Sequence, residues 1–402
     1  MTKANQISLE EVSRGVVAIE TEEELARKWQ RSRESGKPLR VKLGIDPTDP
    51  QLHLGHTVQL RKMRQFQDAG HLGVLIIGDY TAVVGDPSGR DKTRPPIAHD
   101  QVRKNAEPYL QQAWKVLDRE KTELHYNGEW FSKMSFLDVM ELCSSTTVAR
   151  QLERDDFEKR YSGGLPISVH EFIYPLMQAR DSVEVESDIE VGGTDQLFNL
   201  LLGRDLMRQA GMEPQVCMTL PLLVGTDGVQ KMSKSYGNSI GINDDANEIF
   251  GKVMSISDDV MRDYFVLATD FSNAEIEEIL SDGPREAKAT LARRIVELYH
   301  GESAGAAAVE HFDRVFRDRE QPEEMPEVRI SADDLENGEM WVVKLVVDSG
   351  LASGNNDARR KVEGGGVRVD GELVEDPKAQ VAVSDGAVLR VGKKNFRRLK
   401  VL

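Results

Sequence analysis

Three features of the chain predict an α/β fold with a Rossmann-like parallel sheet. Strand-like and helix-like runs alternate through the first half. The run Gly73-Val-Leu-Ile-Ile-Gly78 is apolar at successive positions, as a strand buried on both faces must be, and polar turns rich in glycine and proline follow the strand-like runs. The expected architecture is a sheet domain over 1–243 with a helical insertion at about 102–181, a helical domain over 244–325, a linker over 326–340 and a small α+β domain over 341–402.

Element by element, 41–45 reads as a short strand and Asp46-Pro-Thr-Asp-Pro50 as a turn. Leu54, Val58, Met63 and Phe66 recur at helical spacing until Gly70, a C-terminal stop. Beyond the strand at 73–78, Gly85-Asp-Pro-Ser-Gly-Arg90 makes a turn. The stretch 102–181 is mostly helical in pattern and reads as an insertion between two halves of the sheet. Strand character returns at Val183-Glu-Val-Glu186 and at 189–193, before a helix from about 195 to 210. Helices are expected at 247–255, 258–265, 273–281 and 284–300, and Gln321-Pro-Glu-Glu-Met-Pro326 is proline-rich and acidic, as linkers are. From 341 the character changes to two short helices, the second at 357–363, then Gly364-Gly-Gly366 and short β-like runs.

Composition narrows the class of protein. The longest apolar runs are of strand length and the first residues carry no apolar signal core, so a cytoplasmic protein with no membrane span is expected. Cys143 and Cys217 stand far apart with no His or Cys cluster around them, which suggests neither a disulfide framework nor a structural zinc. The net charge of −16 is unevenly placed: residues 341–402 hold twelve Lys/Arg against eight Asp/Glu, four net positive charges, leaving −20 on the rest. A basic tail on an acidic body is the distribution expected where RNA is gripped at local basic patches.

Two motifs carry chemistry. His53-Leu-Gly-His56 falls at a helix start, where unpaired backbone N–H groups favour an anion and two imidazoles can donate to a phosphate. Lys231-Met-Ser-Lys-Ser235, with Gly225, Gly228 and Gly237 around it, describes a flexible cationic loop able to close over a polyphosphate. The first motif alone is equally well read as a pair of helix-cap histidines. In an open parallel sheet the ligand lies beyond the carboxyl ends of the strands, where both the histidines and the 85–90 turn fall.

Together these segments resemble the two signature motifs of class I aminoacyl-tRNA synthetases, in the family's order and at its wide separation. Tyr174, Gln178 and Asp181, spaced by four and three, share one helical face. That run resembles the corresponding helix of bacterial tyrosyl-tRNA synthetases, in the subgroup with a Lys-Met-Ser-Lys-Ser loop. The resemblance implies that Tyr174 and Gln178 hold the amino group of tyrosine and that Asp181 accepts from its phenol. It further implies tyrosine contacts for Asp86, Gln196 and Asn127, ATP contacts for Gly44, Asp46, Gly55, Gly193, Asp195, Lys234, Arg90 and Arg94, and catalytic roles at the phosphates for Thr48, His53, His56, Lys231 and Lys234. The run 353–370 resembles a small RNA-binding module, with Arg359, Arg360, Lys361 and Arg368 toward RNA phosphates.

The activity implied is ATP-dependent attachment of L-tyrosine to tRNA through tyrosyl-adenylate, by a homodimer, with Mg²⁺ accompanying ATP and no protein metal site. The alternatives are a tryptophanyl-tRNA synthetase, an RNA-binding protein with a relic nucleotide pocket, and a nucleotidylyltransferase. One departure is plain. The better-known branch carries a tyrosine and a cysteine where this chain has Lys42 and Leu43, so no role passes to Lys42 by resemblance.

Overall fold

A computed structural model describes residues 7–88, 97–314, 325–335, 338–392 and 395–402. The chain divides into two compact units, 1–312 and 313–402.

The first unit is built on six strands: β1 (Ala18–Glu20), β2 (Arg40–Ile45), β3 (Leu72–Ile77), β4 (Thr122–Tyr126), β5 (Ile189–Gly193) and β6 (Val216–Leu220), in the order β1-β6-β5-β2-β3-β4. All neighbours are parallel except β1 against β6. The chain runs outward from β2 to β3 and β4, then returns and runs outward the other way from β5 to β6. The switch point therefore lies between β2 and β5, and there the ladder is only two residues long, Val41↔Ile189 and Lys42↔Glu190, whereas β2 and β3 pair from Arg40↔Leu72 to Ile45↔Ile77. A crevice beyond that last rung is where this topology binds ligands.

The central strands are apolar because both faces are covered: Val74, Leu75, Ile76 and Ile77 are fully buried. The helix Leu54–Asp68 returns the chain from β2 to β3, burying Leu54, Val58, Leu60, Met63 and Phe66 on one stripe.

Four expectations are corrected. The stretch 102–181 is not only helical, since β4 forms the edge of the main sheet; its side chains are all half-buried, so it lacks the apolar run that betrays central strands. Val183-Glu-Val-Glu186 is no strand: the helix Ile173–Glu184 runs through its first half, and Glu186 turns the chain at φ 49°. Its alternation of β-branched and acidic residues came from a helix end with one buried and one exposed side. The helices Ala246–Met254, Asp258–Ala268, Asn273–Ser281 and Pro284–His300 do not form a separate domain: Phe250, Tyr264, Leu291 and Ile295 share the core that contains Val58 and Phe66. Finally, much of the expected linker 326–340 is ordered, because β7 (Glu327–Ile330) pairs in parallel with β13 (Asn395–Val401).

The second unit has a core of its own around Val343, Leu345, Val346, Val362, Val367, Leu389 and Leu399. Its main sheet runs β10 (Glu372–Val374), β9 (Val367–Val369), β12 (Val388–Val391), β13, β7, and a small ladder joins β8 (Glu339–Trp341) to β11 (Gln380–Ala382). The helices Val342–Asp348 and Asn355–Glu363 complete it.

Candidate active site

Beyond the β2/β5 switch lies a cleft of about 430 Å³, lined among others by Gly44, Asp46, Thr48, His53, Gly55, His56, Asp86, Tyr174, Gln178, Asp181, Asp195, Gln196, Lys231 and Lys234. Residues far apart in sequence thus meet in one place. Asn127 does not reach the wall; it is fully buried behind Asp181. Gly193 lies at the end of β5, where a Cβ would come within 2.7 Å of Asp195 Oδ1. Arg90 and Arg94 lie outside the described residues.

At one end stand the histidines. His53 caps the helix Leu54–Asp68, and its ring stacks on His56 at 3.7 Å between centroids. The His53 backbone N–H donates to His56 Nδ1 at 3.3 Å, so the neutral His56 ring carries its proton on Nε2. Burial, reinforced by the Lys234 charge, holds His53 at about 4; burial and the neighbouring His53 hold His56 at about 3. Both are neutral at physiological pH. A neutral imidazole keeps one ring N–H with which to donate to developing negative charge.

The lysine loop is a hairpin: Met232 N–H bonds Leu223 O, Gly225 N–H bonds Gln230 O, and buried Met232 anchors it in the core. Asn238 accepts from Ser233 N–H at 2.8 Å and donates to Asp227 at 2.9 Å and to Lys231 O at 3.2 Å. Gly225 gives it room, since a Cβ there would fall 2.3 Å from the Asn238 amide. The loop's exit is strapped to the histidine segment by Leu54 N–H to Ile240 O and Ile242 N–H to Leu52 O. Lys234 Nζ bonds Asp49 at 2.6 Å and Gln51 at 2.9 Å, and Lys231 lies 3.6 Å from Asp195. Burial raises the Asp195 carboxyl, opposed by Lys231.

The other end is a chain of polar side chains under the helix Ile173–Glu184. Tyr174 donates to Asp46 Oδ2 at 3.0 Å, and Thr81 to Asp46 Oδ1 at 2.7 Å. Asp46 therefore turns toward this end rather than toward the histidines. Gly78 is obligatory here, because a Cβ would lie 2.1 Å from both Asp46 Oδ1 and Thr81 Oγ1. Gln178 donates to Glu190 at 3.0 Å and accepts from Asn199 at 2.9 Å; Asn199 also bonds Gln196, which donates to Asp86 at 2.8 Å. Asp181 accepts from Trp130 Nε1 at 3.0 Å and Asn127 Nδ2 at 3.3 Å. Burial raises its carboxyl to about 7, against the lowering effects of Lys42 and the two donors. That leaves it poised to change charge near neutrality.

Several participants escaped the sequence reading. Asn199, Arg154 and Glu190 are fully or nearly fully buried and order the expected residues from behind; Arg154 bonds Asn199 and Ser88 and lies 3.7 Å from Asp86. For Asn199 and Glu190 the only sequence signal is polarity inside an otherwise apolar helix or strand pattern, and Arg154, in the charged run before the helix Asp155–Ser162, has none. Among the described residues no group of three or more His, Cys, Asp or Glu is arranged to hold a metal.

In the second unit the basic cluster divides. Arg360 is exposed, 3.6 Å from Asp357, and the Arg359 guanidinium lies 5.7 Å over the Trp341 ring. Lys361 is a structural tie rather than a free cation, since it bonds Leu351 O and Asp357, both at 2.8 Å. Arg368 stands directly opposite Arg390 across β9 and β12, with Leu373 and Phe396 next in the same cross-strand row. Like charges so placed repel, and an anion against that face would relieve them.

Residues 34–317 match the family model described as tRNA synthetases class I (W and Y), and 319–399 match that of the tyrosine–tRNA ligase SYY-like C-terminal domain. The chain is 48% identical over 400 residues to a tyrosine–tRNA ligase of Aquifex aeolicus, covering 99% of each. It is 50% identical over 405 residues to that of Thermotoga maritima, covering 99% of this chain and 98% of the relative. In structure it resembles a C-terminally truncated mitochondrial tyrosyl-tRNA synthetase of Aspergillus nidulans, with TM-score 0.64 and 24% identity over 77% of this chain and 93% of that one. A tyrosyl-tRNA synthetase of Archaeoglobus fulgidus complexed with L-tyrosine gives TM-score 0.60 at 24% identity, over 75% and 98%. At such identity these two likenesses concern the fold.

Proposed function

The chain belongs to the bacterial tyrosine–tRNA ligase family of class I synthetases, and from that premise we propose that its cleft activates L-tyrosine with ATP and passes the tyrosyl group to tRNA. The observation that carries the reading is Asp181, a buried acceptor with two fixed donors, on the helical face that also presents Tyr174 and Gln178 to the cleft. A site built around a hydroxyl rejects the analogue lacking it, because its polar group is left unpaired; this family is itself the standard illustration of that rule.

In the first step the tyrosine carboxylate attacks the α-phosphorus of ATP, forming the acyl–phosphate bond as the bond to pyrophosphate breaks. In the second a terminal ribose hydroxyl of tRNA attacks the acyl carbon, and AMP leaves. No protein nucleophile is needed, so catalysis consists of positioning and charge stabilisation. His56 would donate through Nε2–H to the phosphates, with His53 beside it. Lys231 and Lys234 would exchange Asp195 and Asp49 for the leaving pyrophosphate, and Thr48 would assist at the γ-phosphate. Asp195 and Gly193 suit the ribose, one as a hydroxyl acceptor and the other as backbone that can approach closely. Tyr174, Gln178, Asp86 and Gln196 would surround the amino group. Mg²⁺ carried with ATP would offset phosphate charge, held largely by phosphate and water.

Arg359, Arg360 and Arg368, joined by Arg390, would meet tRNA phosphates in the second unit. We further propose a homodimer: Phe136, Leu137, Val148 and Val169 are each 65–79% exposed within the insertion, more apolar side chains than a solvated surface needs in one stretch. Light scattering at micromolar concentration tests it, and a clean monomer would refute it. No described helix is long and apolar enough to cross a membrane, and a cytoplasmic location suits a tRNA substrate. ATP–pyrophosphate exchange with tyrosine tests the activity itself.

A further inference from the structure

Lys42 and Glu190 form an ion pair of 2.9 Å, 0% and 1% exposed, on the last rung that joins β2 to β5, with Glu190 at the cleft wall and Lys42 behind it. Removing two charges from water offsets much of their attraction, so such a pair is a weak source of stability. Its remaining bonds point to another use. Lys42 Nζ donates to Gln178 O at 2.9 Å and to Ser182 Oγ at 2.7 Å. Glu190 accepts from the Gln178 amide and from Ser182 Oγ, both at 3.0 Å, and from Gln215. The pair thus grips the helix Ile173–Glu184 at two points one turn apart, and Asp181 lies between them. Because Glu190 takes the Gln178 amide nitrogen while Asn199 donates to its oxygen, the amide is fixed in one orientation.

We infer that Lys42 and Glu190 are positioning residues for tyrosine, fixing the helix turn that carries Gln178 and Asp181 and setting two opposed charges behind the carboxyl that the substrate phenol meets. The inference rests on the tyrosine reading above. It assigns the place where the better-known branch has a tyrosine: here a buried lysine acts on the phenol site indirectly, through Asp181. The groups facing Asp181 are Lys42 from β2, Glu190 from β5 and Asn127 and Trp130 beyond β4, with Tyr174 on its own helix and Asp46 and Asp86 beyond Tyr174. Of the two charges in the pair, Lys42 favours ionised Asp181 and Glu190 disfavours it.

The test is the pH dependence of kcat/KM for tyrosine in ATP–pyrophosphate exchange, between about pH 5.5 and 8.5, for wild type, Lys42→Met, Glu190→Gln and the double variant. This profile reports groups of the free enzyme. Lys42→Met should move the acidic midpoint upward by about one unit and Glu190→Gln should move it downward, with the change carried by KM rather than kcat. The double variant should fall between them. A merely structural pair predicts losses of activity with an unmoved midpoint; that result, or shifts in the same direction, would overturn the proposal. Should Lys42→Met fail to fold, Glu190→Gln decides alone: a downward shift supports the proposal and an unmoved midpoint overturns it. Wild type without tyrosine-dependent exchange would overturn the substrate reading and this inference with it, whereas an active wild type with unmoved variants overturns the inference alone.

Discussion

Replacing Asp181 with asparagine should weaken tyrosine selectivity and strengthen the fold at the same time. The carboxylate already accepts from Trp130 and Asn127, and the phenol would add a hydrogen bond to a charged group, worth about 1.5–3 kcal/mol. Its loss lowers kcat/KM for tyrosine roughly 10- to 150-fold, while phenylalanine, which never made that bond, is little affected. Stability moves the other way. Burial raises Asp181 from 3.8 to about 7, so between pH 4 and 7 the folded chain holds a proton that the unfolded chain has released. Stability contributed by this group therefore falls as pH rises through that window, by up to ~4 kcal/mol, and is level above it. Asp181→Asn removes that cost, less about 1–3 kcal/mol for the donor left facing an amide N–H. Urea unfolding at pH 5 and 8 should show the variant gaining on wild type only at the higher pH. An unchanged tyrosine-to-phenylalanine ratio would refute the placement of the phenol at Asp181.

Other expectations follow from the same geometry. Lys231→Ala and Lys234→Ala should each lower the rate of adenylate formation at least tenfold while tyrosine affinity, measured by calorimetry without ATP, stays within about twofold; a matching loss of tyrosine binding would contradict the division of the cleft. Gly78→Ala should disrupt the Tyr174–Asp46–Thr81 link, because its methyl cannot share space with Asp46 Oδ1 at 2.1 Å, and should raise the KM for tyrosine or destabilise the chain by ~2 kcal/mol or more; wild-type behaviour would refute the close approach. Arg368→Ala with Arg390→Ala should weaken tRNA binding and flatten its salt dependence by about two charges, leaving pyrophosphate exchange untouched. An unaltered salt slope would move the RNA contact off that face.

Legibility in the sequence tracked burial and proximity. β2, β3 and β5 were readable because strands covered on both faces spell themselves in Val, Leu and Ile, and the helix Leu54–Asp68 because one stripe of it is buried. β4 was not, since an edge strand with every side chain half-buried has no such signature. The cleft's first line of residues sits at strand ends and helix starts, where glycine, histidine and acidic residues stand out locally. Lys42, Glu190 and Asn199 act across long stretches of intervening chain, 148 positions for the Lys42–Glu190 pair, through contacts that only the packed sheet creates, so a lysine inside Val-Lys-Leu-Gly-Ile looks like an exposed strand position. Burial inverts that appearance: its ammonium is the fixed point of the helix that carries the specificity residues.

ATP–pyrophosphate exchange measured in parallel with tyrosine, tryptophan and phenylalanine tests the account most directly. Exchange driven by tyrosine alone is the predicted result. Exchange driven by tryptophan would mean that the face presenting Tyr174, Gln178 and Asp181 has been misread, and no exchange with any of the three would contradict an active nucleotide end at His53, His56, Lys231 and Lys234.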